Sequence, residues 1–261
     1  MTKETNNNIY REYYNKHPEY IKIRSQTGQV YVKYTDDVLY WKLKYIEKLA
    51  RNKILKEQIR NVCEIGCATG FLLNNFGKNL NCSKTGIDIS NDNIKCAKQA
   101  YLSISFFEGT FNDYINKNRI MGKVFDLIIL SDILEHVEDD IELLMQAGKY
   151  AKYVIINLPL EKVPEYKERT YGLHDKEGHL RAYNLDDAFT LCENAKMEVL
   201  AYFNKHYVEE PVFRKYLFDN LLNTNESKID ALLKYQEKII HIDLNPDYYK
   251  SNFFALLKYK A

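Results

Sequence analysis

VCEIGCATGFLL at residues 62–73 and TGIDI at residues 85–89 are the stretches that decide how this chain folds. Each is a short apolar run of the kind that forms a buried strand, and the first leads into a small-residue turn. Gly66 and Gly70 carry no Cβ, so the backbone there can approach a ligand closely. Asp88 ends the second run, where a carboxylate can bind both hydroxyls of a ribose. The two stretches predict a nucleoside-binding site at the ends of adjacent strands.

The fingerprint of nicotinamide-binding proteins, G-x-G-x-x-G, does not fit this turn. After Gly66, Ala68 stands where the second glycine belongs, and Phe71 stands where the third belongs. Glu64 precedes the turn, where its carboxylate would repel a diphosphate but would suit a ligand that carries an ammonium and a sulfonium group.

The pattern E-x-G-x-x-x-G over residues 64–70, with an acid at the end of the next strand, resembles motif I of the class I S-adenosylmethionine-dependent methyltransferases. The resemblance extends from about residue 60 to about residue 200 and implies S-adenosyl-L-methionine as the cofactor. It implies that the methionine part faces Glu64, Gly66, Cys67, Ala68 and Gly70, while Asp88 binds the ribose and Ile89 packs on the adenine. The adenine edge would be read by Gly109, Thr110 and Phe111. Relatives often have aspartate where Thr110 stands, and Thr110 would also cap a helix.

SDILEHV at residues 131–137 is the second match, and it resembles a signature of a large subgroup that includes the ubiquinone-biosynthesis O-methyltransferases. The resemblance places Ser131 beside the transferable methyl group. His136 or His179 would be the general base. Alternatively, a divalent metal would be held by Asp132, Glu135, His136 and His179, the first three converging on one face of a helical turn. In a third interpretation Glu135 and His136 only brace the loop. We favour a base or a brace over a metal site.

The order of the predicted elements indicates an α/β protein with a Rossmann-like, seven-stranded methyltransferase sheet and helices on both faces. We predict an N-terminal helical cap at 1–58, the cofactor-binding core at 59–207, a helical insertion at 208–249 and the last strand of the core at 250–261. A helix near 69–78 would follow the small-residue turn, and Asn184 would cap a helix at 184–195. Thr35 or Asp36 would cap a helix in the first segment. Its neighbours Tyr14, Tyr31 and Tyr34 offer aromatic faces to the sulfonium. The insertion would be a lid or a homodimer contact.

The composition excludes several other classes of protein. Lys and Arg number 37 against 36 Asp and Glu, so we expect neither a nucleic-acid nor a membrane partner. Five cysteines without C-x-x-C pairs indicate reduced thiols and a cytoplasmic protein. The predicted acceptor is an oxygen or nitrogen of a sugar, a phosphorylated precursor or a natural-product intermediate. An anionic acceptor could meet Lys162, Lys167, Arg169 and Arg181. The alternative to an enzyme is a non-catalytic scaffold that binds S-adenosylmethionine.

Overall fold

The computed structural model describes residues 33–53, 59–78, 80–172, 175, 177–223 and 227–260. The strands are β1 (Asn61–Ile65), β2 (Ser83–Asp88), β3 (Ser105–Glu108), β4 (Phe125–Ser131), β5 (Ala151–Leu160), β6 (Met197–Lys205) and β7 (Ser251–Tyr259). The α-helices are α1 (Lys33–Lys53), α2 (Phe71–Asn75), α3 (Asn91–Ala100), α4 (Phe111–Lys117), α5 (Asp140–Tyr150), α6 (Leu185–Asn194), α7 (Pro211–Leu222) and α8 (Lys228–Leu244).

The strands form one seven-stranded sheet in the order β3-β2-β1-β4-β5-β7-β6. The first five strands are parallel, and β7 lies antiparallel between β5 and β6. This confirms the predicted Rossmann-like α/β fold. The chain runs outward from β1 through β2 to β3 and then returns to β4 on the other side of β1. Ligands of such sheets bind at this reversal, outside the carboxyl ends of the strands.

The central strands are buried on both faces, because alternate residues of each strand face opposite sides of the sheet. In β4, Ile128 and Leu130 pack in the core layer that includes α4, α5 and α6. Leu127 and Ile129 pack in the layer that includes α1, α2 and α3. A parallel sheet covered on both faces explains why these strands are continuous apolar runs in the sequence.

Two predicted helices have different bounds in the structure. The helix expected to be capped by Thr35 or Asp36 already begins at Lys33, so both residues lie inside α1. The helix expected over 69–78 is reduced to Phe71–Asn75, because Gly70 and Gly77 on either side have φ angles of +80° and +55°. Tyr14 and Tyr31 lie outside the described residues.

The segment expected to be an insertion contains α7 and α8, which pack against each other. Arg214 on α7 and Asp243 on α8 form an ion pair of 2.5 Å between Nη2 and Oδ1. None of the described helices has an apolar stretch long enough to cross a bilayer.

Candidate active site

A cavity of about 410 Å³ lies at the carboxyl ends of β1 and β4, at the reversal of the strand order. A volume of this size is typical of small-molecule sites. Its wall includes Glu64, Gly66, Cys67 and Ala68 from β1 and the following turn, Ser131 and Asp132 from the end of β4, and Val38, Leu39, Trp41 and Lys42 from α1. The predicted methionine-binding turn and the predicted methyl-adjacent Ser131 therefore line one cavity.

The turn after β1 contains residues with positive φ angles, which small residues adopt more readily than large ones. Gly66 has a φ of +75°, and a Cβ there would lie 2.9 Å from Cδ1 of Ile133. Its N–H donates to the carbonyl of Ile87 on β2 over 2.8 Å, which ties the turn to the neighbouring strand. Ala68 also has a positive φ, +46°. Such backbone strain in a non-glycine residue is typical of functional sites.

Asp88 braces this turn from the end of β2. Its Oδ2 accepts the N–H of Ala68 over 2.8 Å, and its Oδ1 accepts the N–H of Ser90 over 2.8 Å. Burial raises the pKa of Asp88, against the opposing effect of the two backbone hydrogen bonds. The structure thus links Asp88 to the cofactor turn, while its contact with a ribose stays a prediction.

Some predicted cofactor residues do not line the cavity. They include Gly70 and the residues predicted to contact the adenine, namely Ile89, Gly109, Thr110 and Phe111. Thr110 caps α4 in a capping box: the N–H of Asp113 donates to Oγ1 of Thr110 over 3.1 Å, and the N–H of Thr110 donates to Oδ2 of Asp113 over 2.9 Å. Phe111 is buried in the core, edge-on to Tyr150. The predicted contacts of these residues with the adenine stay predictions.

The spacing predicted that Asp132, Glu135 and His136 would share one helical face, but in the structure Asp132 does not lie on that face. Its φ is +51°, and the short helical turn begins only at Leu134. Its Oδ2 accepts hydrogen bonds from Lys42 Nζ over 2.7 Å, from Asn157 Nδ2 over 3.0 Å and from Ser131 Oγ over 3.1 Å. Asp132 is thereby turned towards α1 and β5.

Glu135, His136 and His179 do come together, as the sequence suggested. One potential ligand atom from each lies within 4.8 Å of those of the other two. Glu135 is buried, and neither of its carboxylate oxygens accepts a hydrogen bond from the described part of the chain. Burial, followed by the charge of Asp132, raises its pKa well above the ordinary value. The side chain of Glu135 therefore needs a proton, a cation or a ligand.

The two histidine rings are perpendicular, with their centroids 4.6 Å apart. His136 Nδ1 lies 3.0 Å from the carbonyl oxygen of Gly178, which can only accept, so Nδ1 carries the hydrogen. Burial and the adjacent His179 lower the pKa of His136 to about 4. His179 belongs to the cavity wall, whereas His136 lies behind it.

His179 is connected to a set of buried charges. Its Nδ1 lies 2.8 Å from Oε2 of Glu161, and this oxygen also accepts from Nη1 of Arg169 over 3.1 Å. Arg169 donates to both oxygens of Asp175, over 2.7 and 2.8 Å. Burial would raise the pKa of Glu161, but the hydrogen bond from His179 and the charges of His179, Lys250 and Arg169 lower it.

The sequence interpretation missed the cations of the cavity. Lys42 and Lys250 line it. The four cations predicted to meet an anionic acceptor do not line the cavity, and each pairs with an acid. Lys162 pairs with Asp187 over 3.1 Å, Lys167 with Glu168 over 3.8 Å and Arg181 with Asp140 over 2.8 Å. Arg169 pairs with Asp175 and Glu161. The helical spacing of apolar residues in α1 shows that Lys42 follows the buried Trp41. That spacing does not predict that Lys42 contacts Asp132.

Comparison with known proteins agrees with this architecture. A family model described as a methyltransferase domain matches residues 39–202. No curated protein sequence matches the chain. Among solved structures, magnesium protoporphyrin IX methyltransferase from Synechocystis PCC 6803, with bound S-adenosylhomocysteine, has 14% identity and a TM-score of 0.57, and the alignment covers 96% of this chain and 99% of that one.

Two further structures show the same fold. The phosphoethanolamine N-methyltransferase 2 of Haemonchus contortus has 14% identity and a TM-score of 0.54, with 82% of this chain and 52% of that one covered. The [4+2]-cyclase SpnF has 10% identity and a TM-score of 0.54, with 83% and 81% covered. At these identities the likeness concerns the fold alone.

Proposed function

Since the chain belongs to the methyltransferase-domain family, we propose that it transfers a methyl group from S-adenosyl-L-methionine to an oxygen or nitrogen of a small molecule. The observation that carries this proposal is the cavity at the strand reversal, which is lined both by the turn after β1 and by the end of β4. The buried Glu64 supplies a carboxylate for the ammonium group of the cofactor, and Ser131 lies where the methyl group would emerge.

The chemistry requires little from the protein beyond alignment, because the sulfonium already activates the methyl group. Holding nucleophile, methyl carbon and sulfur in line supplies about 7–11 kcal/mol of the barrier. Helix α1 covers the cavity with Val38, Leu39 and Trp41, and this apolar cover keeps water from the reacting atoms. We assign to α1 the role of the cap.

The acceptor is a small molecule, because the cofactor takes up much of the cavity of about 410 Å³. The remaining wall contributes several polar side chains, namely those of Asp132, Glu161, His179, Lys250 and Asn252. An acceptor with several hydroxyl or amine groups, such as a sugar or an amino-substituted intermediate, suits this wall better than an apolar one. His179, which faces the cavity, is the preferred general base over His136.

Calorimetric titration tests the proposal without knowledge of the acceptor. S-adenosylmethionine and S-adenosylhomocysteine should each bind with saturation at a single site. Asp88→Ala should weaken both by at least about tenfold, because it removes the proposed hydrogen bonds from the ribose to a charged group, about 1.5–3 kcal/mol each, and also the bond that holds Ala68 in the turn. Asp92→Ala, an exposed change on α3, is the matched control. Unchanged affinity in Asp88→Ala would contradict the proposal.

A second candidate is a divalent-metal-assisted O-methyltransferase, and Glu135 favours it. Its buried carboxylate lies near His136 and His179, whose Nδ1 atoms face Gly178 and Glu161. A histidine oriented by a carboxylate is typical of metal sites. These three residues fit a divalent ion, which would acidify an acceptor hydroxyl. Asp132, the fourth residue of the predicted set, is held by Lys42 instead.

Metal binding is separable from cofactor binding in experiment. Chelator-treated protein is titrated with Mn²⁺, and electron paramagnetic resonance counts bound ions. The metal candidate predicts one ion per chain, lost in Glu135→Gln and retained in Glu142→Gln, an acid on α5 outside this cluster. Absence of a bound ion at millimolar Mn²⁺ would remove this candidate and leave the first proposal untouched.

A further inference from the structure

Four residues of the loop between β5 and α6 form a closed ring of buried polar contacts. They are Glu161, Arg169, Asp175 and His179. Glu161, the first residue after β5, accepts from Nδ1 of His179 and from Arg169. Arg169 donates to both oxygens of Asp175, and Asp175 Oδ1 in turn accepts the backbone N–H of His179 over 3.0 Å. The side chains of Glu161 and Asp175 are only 2% and 3% exposed, so these charges are largely removed from water.

A buried ring of this kind fixes the position of each of its members. Arg169 lies over the rings of Tyr166 and Tyr171, with its guanidinium carbon 5.6 and 5.0 Å from the ring centroids. Its bidentate pairing with Asp175 prevents rotation of the guanidinium plane. Arg169 therefore holds the carboxylate of Glu161 at the place where it meets the imidazole of His179.

We infer that Glu161 is a positioning residue for methyl transfer, because it holds His179 in the tautomer that presents an unprotonated Nε2 to the cavity. A carboxylate can only accept a hydrogen bond, so the hydrogen of the neutral ring lies on Nδ1. The tautomer of a histidine is set in this way by the partner of its other nitrogen. The inference rests on the proposed function for its role in catalysis.

The role is that of the base in the methyl-transfer step. Nε2 of His179 takes the proton from the acceptor O–H or N–H, and the electron pair left on that acceptor atom forms the bond to the methyl carbon. The bond between methyl carbon and sulfur breaks with its electron pair going to sulfur, which leaves neutral S-adenosylhomocysteine. The imidazolium that results lies beside the carboxylate of Glu161, which stabilises its charge.

Glu177 provides a matched control, because it also approaches both His179 and Arg169. Its Oε2 lies 3.8 Å from Nε2 of His179 and 3.3 Å from Nη1 of Arg169, but its side chain is 57% exposed. A carboxylate at that distance and exposure does not form the hydrogen bond that selects a tautomer. Glu161 and Glu177 thus differ in the feature that the inference depends on.

The tautomer of His179 can be read directly by ¹⁵N NMR of protein labelled at histidine. Spectra of chelator-treated protein at about pH 8.5, some two units above the ordinary pKa of ~6.5, report neutral rings. His179→Gln assigns the resonances of His179 by their loss. We expect a protonated Nδ1 and an unprotonated Nε2 in the unaltered chain. Glu161→Ala should move the population towards the tautomer protonated at Nε2, and Glu177→Ala should leave it unchanged.

Three results would overturn the inference: a protonated Nε2 in the unaltered chain, an unchanged spectrum in Glu161→Ala, or an equal shift in Glu177→Ala. If Glu161→Ala does not fold, the spectrum of the unaltered chain still decides, and Glu161→Leu preserves the side-chain volume. Once an acceptor is in hand, Glu161→Ala should lower kcat about 10²–10⁴-fold, the contribution of a general base. Failure of S-adenosylmethionine to bind would refute the proposed function and leave the tautomer result standing.

Discussion

Nζ of Lys42 on α1 lies 2.7 Å from Oδ2 of Asp132, the residue that follows β4. The ion pair joins the helix that covers the cavity to the strand end beside which the methyl group would lie. Asp132 has a φ of +51°, and its own backbone N–H donates to the carbonyl of Asn157 over 3.0 Å. Helix α1 is therefore joined to the end of β4 at the cavity through Asp132, a residue in a strained conformation.

Lys42→Met should lower the free energy of unfolding by about 1.5–3 kcal/mol, the contribution of a hydrogen bond to a charged group. Only 16% of the Lys42 side chain and 28% of the Asp132 side chain are exposed, so water replaces the lost partner poorly. Lys44→Met removes an exposed ion pair with Glu210 on the same helix and should cost less than about 1 kcal/mol. Urea denaturation of both variants measures the difference, and equal losses would contradict this account of α1.

Gly66→Ala should impair cofactor binding, and Gly122→Ala should not. The two glycines have nearly the same φ, +75° and +74°, so alanine pays a similar left-handed penalty of about 1–2 kcal/mol at each. A Cβ at Gly66 would meet the side chain of Ile133 at 2.9 Å, whereas nothing lies within 4 Å at Gly122. We expect S-adenosylhomocysteine to bind at least about tenfold more weakly to Gly66→Ala, as measured by calorimetry. Equal affinity in both variants would show that the turn is not at the ligand.

Asp175→Asn should destabilise the protein in a pH-dependent way. Burial opposes ionisation of Asp175, but the hydrogen bonds from Arg169 and from the N–H groups of His179 and Glu177 lower its pKa to about 2. A carboxyl whose folded pKa is lowered contributes stability above its unfolded pKa of ~3.9, and that contribution disappears as the pH falls towards the folded value. The loss in Asp175→Asn should be about 2–3 kcal/mol near pH 7 and should shrink below about pH 4.

Urea denaturation between about pH 3 and pH 7 measures this dependence. Asp243→Asn is the control, because Asp243 pairs with Arg214 with 53% of its side chain exposed. Its effect should be small at every pH. A loss in Asp175→Asn that does not change with pH would mean that the charge of Asp175 is not what holds Arg169.

The outer face of α8 is the surface that we expect to form the homodimer. Ile229, Leu233, Ile240 and Leu244 follow one another at helical spacing along it, with 71%, 53%, 57% and 75% of their surface exposed. The double variant Leu233→Glu and Ile240→Glu should reduce the mass measured by light scattering from two chains to one. Leu102→Glu and Met121→Glu, which change exposed residues far from α8 in sequence, should not. A monomeric unaltered chain would contradict this expectation.

The sheet and the turn after β1 could be predicted from the sequence, because local patterns of residues specify both. The apolar runs of β1 and β4 and the glycine at position 66 each constrain the chain within a few residues. Asn184 was predicted to cap a helix and does so, its Oδ1 accepting the N–H of Asp187 over 2.8 Å. Ser131 ends β4 and Glu64 lies one residue before the end of β1, so the strand order brings both to the cavity, while their contacts with the cofactor stay predictions.

The polar half of the site could not be found in this way, because its contacts join distant parts of the chain. Lys42 and Asp132 are 90 residues apart, and Asn252 and Asn157 are 95 apart with a hydrogen bond of 2.7 Å. The spacing of Asp132, Glu135 and His136 suggested one helical face, but a left-handed residue at 132 redirects the first of them. Arg169 was expected to meet an anionic acceptor, but the structure pairs it with Glu161 and Asp175 in the loop after β5, where no periodic pattern indicates which side chains meet.

A crystal structure of the protein with S-adenosylhomocysteine tests the central claim most directly. We predict that the ligand occupies the cavity at the carboxyl ends of β1 and β4, with its amino group near Glu64, its ribose at the carboxyl end of β2 and its sulfur directed towards Ser131. An empty cavity in crystals grown with saturating ligand, or density for the ligand at another site, would contradict it.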